Sequence, residues 1–338
     1  MKRFFAWGNR LHSGESSIPF VGKAKLWLAI SGVLVLLSLL VPLIFGFNFG
    51  IAFKGGSQFQ VDHVSDTSSA KGENIVNKVV SGSEPRLTPT SDTAIQIETN
   101  QLTDPQMQEV RDALVAGYDV KVEDVTSTFV GPEWGQDVTS KMIRALVIFV
   151  AIALIVMALY FRTWKMSVAA IVGLFVVMIV TMGIYSATGF EVTPEAIIGF
   201  LTVLSFSLYD TVVVFDKIRE NTTRFEEKRN LKFSELVNLG VNQTTVRSIN
   251  TSVVSVLPIA SILFIGVFLL GAGTLVDISL SLFIGTIVAA ASTLFVASPL
   301  YAVLRANESA VKAQEEAVRE LRLKDGGADV PPVIHAEV

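Results

Sequence analysis

The 338 residues contain no cysteine, which removes disulfides, iron–sulfur clusters and thiolate zinc sites together. Histidine is almost as scarce. His12, His63 and His335 lie far apart, with none of the spacing that a metal site needs, so no metal is expected. Charge is sparse as well: 17% of residues are Asp, Glu, Lys or Arg, against about 25% in an ordinary soluble domain. No G-x-x-x-x-G-K-S/T phosphate loop occurs. ATP is therefore not expected to be this chain's own fuel, and no enzyme chemistry or organic cofactor is expected.

Long apolar runs fill the space that charge leaves. A run of 18 or more such residues suffices to cross the roughly 30 Å hydrocarbon core of a bilayer. Six are present, from Leu26 to Phe47, Ile143 to Phe161, Met166 to Thr188, Pro194 to Phe215, Ile249 to Leu270 and Val276 to Leu304. The first is too long for a signal-peptide core and reads as an uncleaved anchor. Pro42 near its end is tolerated in a membrane helix.

Of the 27 Lys and Arg, about 19 fall on one side of these spans. They are five before the first span, Arg162 and Lys165 between the second and third, seven from Lys217 to Arg247, and five from Arg305 to Lys324. Positive charge marks the cytoplasmic side, so residues 1–25 and 305–338 are expected inside and the large segment 48–142 outside. The charged stretch from Asn307 to Leu323 reads as a helix and the segment from Lys324 to Val338 as disordered.

Within segment 48–142, apolar and polar residues alternate from Ser57 to Val61, Thr93 to Ile97 and Tyr118 to Val125, which argues strands. Asn74 to Val80 and Asp104 to Val115 read as helices, the second with Thr103 or Asp104 as N-cap and Pro105 at its start. The order β-α-β-α-β suggests a small α+β domain of ferredoxin-like character. Asp62 and His63 point to opposite faces of a strand. Like Glu98, Glu123 and Asp124, they read as solvated surface.

A gradient-driven protein needs a titratable or ion-binding group within the membrane, and Asp210 supplies one. It lies in Ser205-Phe206-Ser207-Leu208-Tyr209-Asp210-Thr211-Val212-Val213-Val214-Phe215. An ionised Asp at the centre of a span costs roughly 2.5–3.5 kcal/mol on insertion scales, so such residues face a bundle interior or wet cavity and mark a pathway. A proton crossing 100 mV makes about 2.3 kcal/mol available, enough to bias a two-state bundle. On the fifth span Thr244, Arg247, Thr251 and Ser255 recur at helical spacing and form a polar face. Arg247 could share an interface with Asp210 or could snorkel to the membrane surface, and spacing leaves both readings open. Asp216, Lys217, Arg219 and Glu220 read as a solvated helix end, and Asp277 as an interfacial helix-terminal acid.

The stretch Ser207-Leu208-Tyr209-Asp210-Thr211-Val212-Val213-Val214-Phe215-Asp216-Lys217-Ile218-Arg219-Glu220-Asn221 closely resembles the signature of the SecF family, membrane subunits that work with SecD in bacterial Sec protein export. Phe49-Gly50-Ile51-Ala52-Phe53-Lys54-Gly55-Gly56 and Val130-Gly131-Pro132-Glu133-Trp134-Gly135 agree with it, as does the plan of six spans with one large outer loop. The family usually has an Asp where this chain has Ala52, so no role of that acid carries over.

The resemblance implies a member of the resistance-nodulation-division superfamily in the bacterial cytoplasmic (inner) membrane. It would use the proton motive force with SecD to promote late preprotein translocation. Asp210 would be the proton-coupling carboxylate, with Arg247 and Thr251 as polar partners, and Gly55, Gly56, Gly131 and Pro132 would be structural. The implied partners are SecD, the SecYEG translocon with YajC and YidC, unfolded preprotein and membrane lipid, with no nucleic acid. Two other readings stay open: a proton-driven exporter of small molecules or lipids, and a passive assembly scaffold.

Overall fold

The computed structural model describes residues 2–91, 93–161, 163–265 and 273–324. Arg162, the end of the fifth apolar run up to Leu270 and the tail after Lys324 lie outside the described residues. In chain order the elements are α1 (Lys2–His12), α2 (Ala24–Phe45), β1 (Asn48–Phe49), α3 (Ile51–Lys54), β2 (Gly56–Val61), α4 (Ser69–Val79), β3 (Arg86–Ser91), β4 (Ala94–Thr99) and α5 (Asp104–Tyr118). They continue with β5 (Val125–Val130), α6 (Pro132–Tyr160), α7 (Trp164–Thr188), β6 (Glu191–Val192), α8 (Pro194–Thr222), α9 (Phe233–Ile265), α10 (Gly273–Ser292), a π turn (Thr293–Ala297), α11 (Ser298–Arg305) and α12 (Ser309–Lys324).

Six helical stretches are long and apolar enough to cross a membrane: α2, α6, α7, α8, α9, and α10 continued through the π turn into α11. In such a setting every backbone group must be paired within the segment, which helices achieve. Apolar side chains on α2 and α6 point away from the bundle, with Leu43 81% and Leu159 79% exposed. Surface of that kind is stable against lipid or another apolar helix, not against water. The protein is thus a multi-pass membrane protein.

The polar stretch between α8 and α9 is mostly helix. Helix α8 runs on to Thr222 and α9 starts at Phe233, so both project beyond their apolar parts. Their junction packs around Phe215, Phe225, Phe233 and Tyr301, with the Arg305 guanidinium 4.7 Å from the Phe233 ring centre. Helix α12 closes this end by capping α9. Gln314 Oε1 accepts from the Phe233 N–H at 3.0 Å, Glu315 Oε1 from the Ser234 N–H at 3.1 Å, and Arg322 grips both oxygens of Glu235 at 2.9 and 2.7 Å. Those N–H groups have no partner within their own helix.

Between α2 and α6 lies an antiparallel sheet ordered β3-β4-β2-β5. Phe59 pairs with Ile97 on one side and Ser127 on the other. Phe59, Val61, Ile95 and Ile97 turn one face of the sheet onto Val76 of α4 and Val110, Leu114 and Tyr118 of α5.

Two local expectations are corrected. The segment from Tyr118 to Val125 is not a strand: α5 continues through the buried Tyr118, Asp119 turns left-handed (φ 56°), and pairing begins only at Val125. Conversely Arg86–Ser91 is a strand despite Pro89. It lies at the sheet edge, where a missing N–H is tolerated. The domain order is therefore β-α-β-β-α-β. At the start of α5, Thr103 is the N-cap, its N–H donates to Gln106 Oε1 at 2.9 Å, and Pro105 follows in the first turn.

The domain is joined to the bundle at two places. One is a glycine joint between the segments flanking β2 and α6. A side chain on Gly55 (φ 75°) would press on Pro132 at 3.1 Å, on Gly56 (φ 144°) on the Thr99 carbonyl oxygen at 2.5 Å, and on Gly135 on the Phe53 carbonyl oxygen at 2.7 Å. The other is the two-residue parallel pairing of β1 with β6, Asn48 opposite Glu191 and Phe49 opposite Val192.

Candidate functional site

Asp210 sits within α8, only 4% exposed. Ser207, one turn earlier, is buried on the same side. The Ser248 hydroxyl of α9 donates to Asp210 Oδ2 at 2.8 Å. From the sixth span, the Thr293 hydroxyl faces the carboxylate and lies 3.1 Å from that of Thr211. Three spans thus converge on one carboxylate through hydroxyl groups, and among the described residues no Lys or Arg forms an ion pair with it.

The π turn begins at Thr293. Ser298 Oγ donates to the Thr293 carbonyl at 2.9 Å and Ser292 Oγ to the Gly173 carbonyl at 2.8 Å. These bonds answer polar groups in an apolar interior, where an unpaired one costs several kcal/mol. A π segment inside a helix is rare and recurs at functional sites.

The buried polar face of α9 is Thr244, Thr245 and Ser248, not the face that includes Arg247. Neighbouring helix positions differ by about 100°, so burying Ser248 leaves Arg247 and Asn250 exposed. The Thr251 hydroxyl donates to the carbonyls of Arg247 and Ser248 on its own helix, each at 3.0 Å. Among the described residues neither Arg247 nor Thr251 bonds to Asp210.

Ser248, Thr211 and Thr293 were not singled out by spacing. Ser248 stands four residues after Thr244, so helical spacing does carry a signal for it, one position away from the stripe through Arg247. Thr293 could not be reached by periodicity on any one helix.

Of the motif glycines, Gly55 and Gly56 are held by backbone conformation and close contact, whereas Gly131 is the N-cap of α6, where a side chain would meet only the Phe129 ring at 4.0 Å, and Pro132 opens that helix. The two glycine-bearing motifs, far apart in sequence, meet at the joint described above. Beside it, an apolar cavity of about 370 Å³ lies between α6, α7 and α8, lined by Phe53, Met142, Met178 and Phe200.

Residues 110–307 match the family described as protein export membrane protein SecD/SecF, C-terminal. The chain is 38% identical to the protein translocase subunit SecF of Streptomyces coelicolor over 318 residues, covering 94% of this chain and 85% of that protein. It is also 38% identical to the SecF of Mycobacterium tuberculosis, covering 73% of it. The crystal structure of SecDF from Thermus thermophilus, described as a translocon-associated membrane protein, superposes with a TM-score of 0.75 at 27% identity, over 86% of this chain and 39% of that one. The carboxylate in a six-span bundle, the two glycine motifs at its joint and these likenesses have one reading: the chain belongs to the SecF family of protein translocase subunits.

Proposed function

We propose that this chain, as the SecF-type subunit of Sec protein export, couples proton movement through Asp210 to movement of its α+β domain, in complex with SecD. The observation that carries the reading is the carboxylate of Asp210, buried among spans and met by the Ser248 hydroxyl at 2.8 Å. A group that gains and loses a proton there alters the hydroxyl network linking α8, α9 and the π turn. Ion binding biases a bundle only by its differential affinity for two arrangements, and helices tied to one carboxylate supply such a difference. Lys and Arg placement supports a topology with both termini in the cytoplasm and the domain outside. Its β-α-β-β-α-β order and strand sequence fit a ferredoxin-like gripping surface for emerging preprotein.

Arg247 and Asn250 are exposed on α9, and most of that helix's apolar stretch is left uncovered by its own chain. An exposed Arg on a spanning helix calls for a partner. SecD fits that place, with Arg247 and Thr251 facing the shared pathway. The SecYEG translocon with YajC and YidC completes the assembly.

The test is Asp210→Asn in membrane vesicles bearing SecD and the translocon. Insertion and SecD association persist, while the export increment from an imposed gradient is lost. Imposing pH and Na⁺ gradients separately identifies the ion. Normal gradient-driven export by the Asn variant would sink the reading. The apolar cavity of about 370 Å³ favours a second reading, a hydrophobic small-molecule or lipid substrate. Specific ligand binding by the purified chain, without recovery of SecD, would support it.

A further inference from the structure

The second attachment of the α+β domain to the bundle holds carboxyl groups with, among the described residues, no cation acting on them. Glu191, on β6 between α7 and α8, reaches across to the sheet. Gln96 Nε2 donates to Glu191 Oε2 at 3.1 Å and lies 3.4 Å from Glu98 Oε1, both on β4. Gln96 and Glu98 stand two apart on the strand and share a face.

On its other side Glu191 rests on Gly50, where any side chain would collide with its carboxyl. The pairing of β1 with β6 fixes that approach, and the Gly50 N–H donates to the Val192 carbonyl at 3.1 Å. The charged groups acting on Glu191 are Glu98 from the sheet and Asp277 from α10; Glu195 of α8 in turn acts on Asp277. All are acidic. Burial first, then the neighbouring Glu98 carboxyl and the charge of Asp277, push the Glu191 carboxyl up to about 8, against the hydrogen bond from Gln96.

We infer that Glu191 is a proton-operated latch between the α+β domain and the membrane bundle. With one proton on the Glu98–Glu191 pair, the two carboxyls share a hydrogen bond and the domain is seated. When that proton leaves, two carboxylates face each other beside Asp277 and the seat is repelled, while the glycine joint at Gly55, Gly56 and Gly135 keeps the domain attached along its other edge.

The seated form holds the proton more tightly than the unseated one, where Glu191 returns towards its ordinary value of 4.5. Seating is therefore complete below about 4.5 and weakens by up to about tenfold per pH unit as pH rises from there to about 8, with no further change above. The latch stands apart from Asp210; only the identity of the compartment whose protons reach it rests on the orientation proposed above.

The test uses the full chain in lipid nanodiscs, both faces at one pH. Because the chain has no cysteine, spin labels at Asn77→Cys on α4 and Ala187→Cys at the end of α7 report the separation of domain and bundle. We expect the short distance to dominate at the lowest pH and a longer population that grows up to about pH 8 and changes no further above it. Glu191→Gln holds the short distance throughout, Glu98→Gln flattens the response, and in Asp210→Asn a longer population that rises with pH persists, whatever its starting level. A distance that does not move with pH in the native chain, or that still moves in both glutamine variants, overturns the latch. Loss of the response in Asp210→Asn alone would place the switch in the bundle and overturn it equally.

Discussion

The partner of Asp210 is open to direct measurement, because the family resemblance implies Arg247 and the geometry points to Ser248. The perturbation is a double-mutant cycle pairing Asp210→Leu with Ser248→Ala, alongside a second pairing Asp210→Leu with Arg247→Ala. The bond at issue is 2.8 Å long, between groups 4% and 2% exposed. In water-soluble proteins a bond to a charged group contributes about 1.5–3 kcal/mol. Between membrane helices the unfolded reference also finds partners, and measured pairs average about 0.6 and reach about 1.7 kcal/mol. The expected coupling of 210 with 248 is therefore about 0.6–1.7 kcal/mol, a factor of about 3 to 18 in the unfolding constant. For 210 with 247, which do not touch, it is within about 0.5 kcal/mol of zero. Reversible unfolding of the purified chain in bicelles, without SecD, supplies the four free energies of each cycle. A null coupling for Ser248 together with a larger one for Arg247 would refute the geometry argued above.

Two further variants test how the parts are held. Gly56→Ala places a Cβ 2.5 Å from the Thr99 carbonyl at φ 144°, and a side chain at positive φ alone costs about 1–2 kcal/mol. Hydrogen exchange of the β2 and β4 amides should quicken at least tenfold, whereas Gly131→Ala, whose Cβ would meet only the Phe129 ring at 4.0 Å, should leave those amides as they are; equal effects would defeat the joint. Gln314→Ala removes bonds to the Phe233 N–H and to the Lys228 and Leu231 carbonyls, at 3.0, 2.8 and 2.7 Å. At about 1 kcal/mol each the seating of α12 should weaken by about 3 kcal/mol, read as protease cleavage around residues 305–309. Gln314→Glu keeps the acceptor but sets oxygen against two carbonyls, so it should be cleaved as readily; protection equal to the native chain would show that the bonds do not hold the helix.

The spans were legible because apolar length has one reading in a bilayer, and Asp210 stood out because its surroundings make a charge expensive. The face of α9 was harder. Thr244, Arg247, Thr251 and Ser255 make as good a stripe on paper as Thr244, Thr245 and Ser248, and only packing against α8 decides between them. Thr293 joins the site from a π turn, whose extra residue breaks the 3.6-residue period on which sequence reading relies. In the α+β domain, β3 carries Pro89 and little apolar alternation, so its place at an edge was visible only once β4 had been found. Tyr118 looked like the start of a strand because its alternation with Val120 also fits a helix end. The meeting of the two glycine motifs could not be read at all, since their contact depends on the whole intervening domain folding back.

The caps that α12 places on α9 also set an order of events during synthesis. Gln314, Glu315 and Arg322 leave the ribosome some 80 to 90 residues after Phe233 and Ser234, a delay of about 4–18 s at 5–20 residues per second. Through that interval α9 has been translated, and Ser248 with it, while the amides at its head still lack their partners. The cap on α9 is completed last, by the segment made after all six spans, so a nascent chain cut short before α12 would have every membrane helix and an uncapped start to the one that carries Ser248.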